Sequence, residues 1–238
     1  MSAIEIPRTV LGIIGNIVSL ILFLSPIPTF RKIINQKAVE EFKPDPYLAT
    51  VLNCAMWSFY GLPIVEEDSI LVTTINAAGL VIELTYVAIF FVFAPFHKRK
   101  KIVIVLVLEL IIMAGVIIIT MGIFSSIKKR ATFVGILCII LNVIMYTSPL
   151  TVMRMVIRTK SVKYMPFYLS LASLCNGLIW VAYAALRFDI YLVLPNGLGA
   201  LSGLVQIVLY AIYYRTTRWE DDDHETSRQP EVQVSSRV

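Results

Sequence analysis

Charge is scarce in this 238-residue chain. Asp, Glu, Lys and Arg together make up 16% of it, while 58% is hydrophobic. Soluble domains average roughly 25% charged residues. A soluble fold of this size cannot hide so much apolar surface, because much of any folded surface stays in water. A soluble enzyme and a disordered chain are therefore excluded. Cysteine is nearly absent too. Cys54, Cys138 and Cys175 all fall inside apolar runs without metal-ligand spacing, which excludes a secreted disulfide scaffold. They read as buried small hydrophobes. The two histidines, His97 and His224, lie in a loop and in the tail. No Ser/His or Cys/His set and no phosphate-cradling glycine loop is present, so neither enzymatic chemistry nor a metal or cofactor is expected. No asparagine stands in a glycosylation context. The net charge of +5 does not point to nucleic acid. The basic residues cluster between apolar runs, where they set orientation and meet anionic headgroups.

What is present is a succession of apolar runs, each near the roughly 20 residues that cross a bilayer as a helix. Seven can be traced, over about 9–30, 46–65, 70–94, 102–124, 131–153, 166–186 and 190–214. Barrel strands are excluded, since they are shorter and alternate polar with apolar. The first run is too long, and its basic flank lies on the wrong side, for a cleaved signal peptide. From Trp219 the chain turns polar and acidic, which predicts a solvated, disordered tail. Seven spans put the two chain ends on opposite sides. Sixteen Lys and Arg then fall on the C-terminal side and five on the other. The five are Arg8, Lys128, Lys129, Arg130 and Arg187. The positive-inside rule predicts an outside N-terminus and a cytosolic C-terminus. The Lys-Lys-Arg triplet at 128–130 is the discordant loop. The plasma membrane is the expected location, with an internal membrane left open.

The chain also resembles itself. A shift of 123 residues carries Gly12 to Gly135, Pro26 to Pro149, Arg31 to Arg154, Lys37 to Lys160, Asn53 to Asn176, Trp57 to Trp180 and Tyr60 to Tyr183. A shift of 120 carries Pro46 to Pro166, Asn76 to Asn196 and Gly79 to Gly199. Matched Pro, Trp and Asn are uncommon in membrane spans and rarely coincide by chance. Spans 1–3 and 5–7 are thus two copies of one three-helix unit, and span 4 connects them. Because three is odd, the connector starts both copies on the same side. The predicted fold is an all-α, seven-span membrane protein of two parallel repeats, 3-1-3. Its divisions are 1–95, 96–127 for the linker span, 128–214, and a tail over 215–238. Transporters built this way hold substrate near the midplane between the halves.

Several paired residues suit such a site. Asn76 and Asn196 sit about 10 Å into their spans at 1.5 Å per residue. A carboxamide in hydrocarbon must find partners, and its donors and acceptor match groups that both donate and accept. Helix–helix bonding is the other reading. Trp57 and Trp180 lie nearer mid-span than interfacial anchors do, and a flat indole can stack on the apolar face of a ligand. Asn53 and Asn176 precede them by one helical turn, on the same face. Pro26 and Pro149 fall four residues before their spans end, where they bend a helix. Pro46 and Pro166 stand where helices begin. Glu83 and Glu109 are costly within a span. Neither has a repeat partner, which favours structural hydrogen bonds over proton coupling.

The segments GIIGNIVSLILFLSPIPTF, TTINAAGLVIELTYV, MYTSPLTVMRMVIRTKSVKYMPF and LPNGLGALSG resemble the SWEET sugar transporters, and the similarity runs to about Tyr214. The likeness is to plant members, more to the hexose-carrying branch than the sucrose-carrying one. It implies a facilitative, bidirectional monosaccharide carrier that binds sugar at Asn76 and Asn196 between Trp57 and Trp180, with Asn53 and Asn176 beside them. It implies that Leu22 and Met145 bear on the size of the pocket, and that Pro26, Pro46, Pro149 and Pro166 flex near an inner gate. It also implies a homo-oligomer, with a trimer expected. Two alternatives stay open at this point: a proton-coupled carrier of another small solute, and a receptor or scaffold acting through the tail.

Overall fold

Nine helices and no strand make up the described residues, 4–217 and Trp219, of the computed structural model. They are α1 (Glu5–Leu24), α2 (Ile27–Gln36), α3 (Asp45–Tyr60), α4 (Ile70–Phe93), α5 (Phe96–Ile123), α6 (Ile127–Met145), α7 (Thr147–Thr159), α8 (Phe167–Ala185) and α9 (Ile190–Tyr213). With α1–α2 and α6–α7 each forming one bent span, six helical stretches are long and apolar enough to cross a membrane. The seventh span is α3, shorter at 16 residues. The fold is the seven-span, 3-1-3 membrane architecture. The tail expected beyond Trp219 lies outside the described residues.

Proline determines where the bent spans break. Pro26 has no N–H to offer the Leu22 carbonyl, which instead accepts from Ser25 at 3.1 Å. Pro149 sits in the first turn of α7, just after α6 ends at Met145. The first and fifth spans therefore do not stop near residues 30 and 153. They run on, bent, to Gln36 and Thr159. Both end in the left-handed conformation, at Lys37 (φ 53°) and Lys160 (φ 52°), positions that correspond under the 123-residue shift. Pro46 is the second residue of α3 and Pro166 directly precedes α8, so these two start helices rather than bend them.

Within each half the third helix packs between the first two. α4 contacts α1 and α3, and α9 contacts α6 and α8. Between halves, α1 packs on α8 and α3 on α6, and the linker α5 leans on α3, α4 and α6. Glycines permit the tight crossings, and they recur in register. A Cβ on Gly12 would meet Leu71 Cδ1 at 2.5 Å, and one on Gly135 would meet Tyr191 Cγ at 2.5 Å. Gly79 abuts the Phe23 ring as Gly199 abuts the Tyr146 hydroxyl. In each case residue and neighbour are both repeat-related.

The cores are distributed unevenly along the membrane normal. At the end holding Arg8 the halves share one core, including Trp57, Tyr60 and Val72 from the first with Val134, Trp180 and Tyr183 from the second. At the other end each half has its own, around Phe30, Tyr86 and Phe90 in one and around Met153, Val156 and Met165 in the other. The outer surface is aliphatic, with Leu110, Ile118 and Ile123 of α5 among its exposed residues, as hydrocarbon surroundings require. Cys54 and Cys138 are buried as expected, but Cys175 is exposed. It lies on an outward face of α8, where lipid accepts it as readily as a core would. The discordant Arg130 is satisfied by the carbonyls of Phe124 at 2.8 Å and Ile64 at 3.1 Å, tying the linker loop to the first half.

Replacing Gly135 with Val should lower stability by about 1–3 kcal/mol through overpacking against Tyr191. Gly115→Ala, where nothing lies within 4 Å, should be neutral or stabilising by up to about 1 kcal/mol. Melting temperatures of the purified protein in detergent check both.

Candidate functional site

A cavity of about 350 Å³ lies between the halves. Its walls bring together Asn53, Asn76, Trp57, Asn176, Trp180 and Asn196, six residues drawn from four helices. Leu22 lines it as well. Met145 does not: α6 ends at that residue, two register positions before the point where α1 ends. None of the four repeated prolines lines the cavity.

The hydrogen bonds follow the repeat. Asn76 Nδ2 donates to the Val72 carbonyl at 2.8 Å, and Asn196 Nδ2 to the Leu192 carbonyl at 2.9 Å. Each bond locks its carboxamide against its own helix. Each leaves one N–H and the Oδ1 without a protein partner among the described residues. Asn53 and Asn176 serve differently. The Asn53 Oδ1 accepts from Asn142 Nδ2 at 3.2 Å, and the Asn176 Oδ1 accepts from the Ser19 hydroxyl at 2.6 Å. Each bond crosses from one half to the other. Trp180 Nε1 donates to Ser19 Oγ at 3.0 Å, which fixes the indole plane, and Gly15 leaves room for its edge.

Ser19 and Asn142 were not singled out from the sequence. They are separated by 123 residues and both line the cavity, so the repeat register itself was the signal. It went unread because serine and asparagine are not identical. Glu83 also lines the cavity, and its Oε2 is buried without a hydrogen-bond partner among the described residues. The buried Oε2 of Glu109 likewise has none. The structural hydrogen bond expected of these two acids is not made by either atom.

Beyond the cavity, the Arg8 end is sealed by a second set of cross-half contacts. The Tyr60 hydroxyl donates to both carboxylate oxygens of Asp189 at 2.9 Å, and its repeat mate Tyr183 donates to the Asp68 carbonyl at 3.3 Å. Arg8, only 6% exposed, donates to the Asp68 carbonyl and to Ser69 Oγ, and lies over the Tyr183 ring at 4.2 Å. Arg187 pairs with Asp68 and Glu5. Burial raises the pKa of Asp189 even though Tyr60 and two backbone N–H groups hold its charge. Glu66 is pushed up to about 7, first by burial and then by the charge of Asp189.

Comparison with known proteins agrees with this arrangement. A family model described as "sugar efflux transporter for intercellular exchange" matches residues 9–98 and 132–218. The bidirectional sugar transporter SWEET5 of Arabidopsis thaliana is 59% identical over 221 residues, 93% of this chain and 92% of that one. SWEET4 of the same plant is 54% identical, over 91% of this chain and 86% of its own. The chain belongs to the SWEET family of sugar transporters. A solved eukaryotic SWEET transporter superposes on it with a TM-score of 0.87 at 39% identity, covering 90% of this chain and all of that one.

Two measurements test the geometry of this SWEET. Ser19→Ala removes the partner of both Asn176 and Trp180, and should cost about 1–2 kcal/mol in melts of the purified protein. Glu66 has a folded pKa above its ordinary 4.5, so the folded state binds its proton more tightly than the unfolded one. Its contribution to stability should fall as pH rises from about 4.5 through about 7. In Glu66→Gln that part of the pH dependence should vanish.

Proposed function

We propose that this SWEET is a facilitative, bidirectional carrier of monosaccharides such as glucose, working by alternating access. The observation that carries this reading is the cavity between the repeats. Two repeat-related carboxamides, Asn76 and Asn196, each offer it one free donor and one free acceptor, between the indoles of Trp57 and Trp180. A sugar hydroxyl both donates and accepts, and the apolar face of a pyranose suits an indole. The volume of about 350 Å³ is at the small end of the roughly 300–1,000 Å³ typical of ligand pockets. That supports a monosaccharide over a disaccharide, with Leu22 narrowing the wall.

Alternating access is supported by the uneven cores. The halves share packing at the Arg8 end and part at the proline end, so the cavity is approached from the proline side. Breaking the Tyr60–Asp189 and Arg187–Asp68 contacts while closing the opposite end would expose it to the other side. Pro26 and Pro149, at the helix breaks, and Pro46 and Pro166, at helix starts, are the points about which that closure flexes. The excess of Lys and Arg on the proline side supports a cytosolic location for it. The N-terminus then lies outside and the C-terminus inside, in the plasma membrane. Resemblance to the family supports a homo-oligomer, with a trimer as the expected state.

Labelled glucose, fructose and sucrose uptake, in cells lacking their own hexose carriers, tests the reading. Glucose should move down its gradient in either direction and be insensitive to a protonophore. Asn76→Ala and Asn196→Ala should each reduce flux about 10- to 100-fold at unchanged surface level. Uptake that collapses with the protonophore would place the protein among proton-coupled carriers. Normal flux in both asparagine variants would remove these residues from the sugar site.

A further inference from the structure

The two halves are not equally filled at the end where their cores part. In the first, Phe30 stacks on Tyr86 with centroids 4.3 Å apart, and Tyr47 meets it edge-on at 4.9 Å. The repeat shifts carry this trio to Met153, Gln206 and Phe167. Gln206 turns instead to Ser170, whose hydroxyl donates to it at 2.9 Å, and Phe167 packs on Tyr210. A groove of about 710 Å³, with Met153 in its wall, opens between α6–α7 and α9. One wall carries Leu150 and Ile157, and the other carries Leu201 and Val205. Its α9 wall runs from residue 198 to 209, about 17 Å at 1.5 Å per residue, close to half of a hydrocarbon core about 30 Å thick.

Arg154 and Arg158 also line the groove. They are four residues apart on one face of α7, both exposed, with no hydrogen bond or ion pair among the described residues. No Asp or Glu occurs from 147 to 188 or from 190 to 219, so the second half supplies no carboxylate to neutralise them there. An apolar trough that opens toward lipid and carries two unpaired guanidinium groups is complementary to one chemistry, an acyl chain bearing an anionic phosphate. We propose that this groove binds one anionic phospholipid, its phosphate on Arg154 and Arg158 and a chain laid between α7 and α9. Arginine presents a planar fork of donors that matches phosphate. The first half does not repeat the pair of arginines: Asn35 stands at the position of Arg158, and Phe30 at that of Met153 in the groove wall. The inference stands apart from the sugar reading and rests on neither Asn76 nor Asn196.

The test uses the full chain in bilayer discs of mixed phosphatidylglycerol and phosphatidylcholine, with retained lipid counted by native mass spectrometry. One phosphatidylglycerol per protomer should survive, preferred about 30-fold over phosphatidylcholine, as expected of two arginines acting on one headgroup. Arg154→Gln with Arg158→Gln should abolish that preference. Leu201→Trp with Val205→Trp, which fills the trough from its α9 wall while keeping both arginines, should abolish retention. Equal retention of the two lipids, or undiminished phosphatidylglycerol in the double glutamine variant, overturns the proposal. So does efficient inter-chain disulfide formation through Ser202→Cys in a Cys175→Ser background, since a second copy would then occupy the groove. Sugar uptake by the same variants shows independently whether transport survives.

Discussion

A carboxamide or hydroxyl inside a lipid-embedded bundle has no bulk water to fall back on. The whole arrangement depends on how this protein meets that constraint. Ser19 bonds to Asn176 and Asn142 bonds to Asn53, each across the seam between halves. These bonds set the halves in register. The packing is tight enough that a Cβ on Gly15 would meet the Trp180 ring at 3.0 Å. The cross-half bonds engage the carboxamide oxygens of Asn53 and Asn176, whereas Asn76 and Asn196 are each held through one N–H to their own helix and keep that oxygen free. Helix–helix bonding and substrate contact were competing readings of buried asparagine. Here one pair bonds across the seam, and the other bonds only to its own helices while lining the cavity.

The same cross-half logic recurs at the Arg8 end, with tyrosines in place of asparagines. Tyr60 reaches Asp189 and Tyr183 reaches the Asp68 carbonyl, so each half contributes a hydroxyl and receives one. The seal is polar and partly buried, built from hydrogen bonds and ion pairs that each contribute little. It is cooperative because Arg8, Arg187 and Tyr183 converge on Asp68 in one short loop. A closure of this kind holds one end of a bundle together and remains breakable, whereas the apolar cores of the two halves at the far end are already separate.

Much of this was legible in the sequence, for a physical reason. Duplicated helices must solve the same packing problem twice, so costly residues recur at fixed spacing. The shifts that pair Asn76 with Asn196 and Trp57 with Trp180 also pair Gly12 with Gly135 and Gly79 with Gly199, and the structure puts each of these glycines against repeat-related neighbours. Identity matching missed Ser19 and Asn142, where the register keeps polarity but changes the residue. It also overstated symmetry. Leu22 and Met145 match in register, yet the helix break comes two positions earlier in the second half, and only Leu22 reaches the cavity.

The sequence by itself determined the membrane setting, the seven spans, the duplicated three-helix plan and which asparagines and tryptophans to watch. Those follow from composition and periodicity, which are local or self-referential. Only the tertiary structure decided that the third helix of each half lies between the other two. It likewise decided which asparagines bond across the seam and which bond only to their own helix. Finally, it decided that one end is shared while the other is split. Each of these depends on which faces meet, and an apolar helix that is greasy all round does not announce its neighbours.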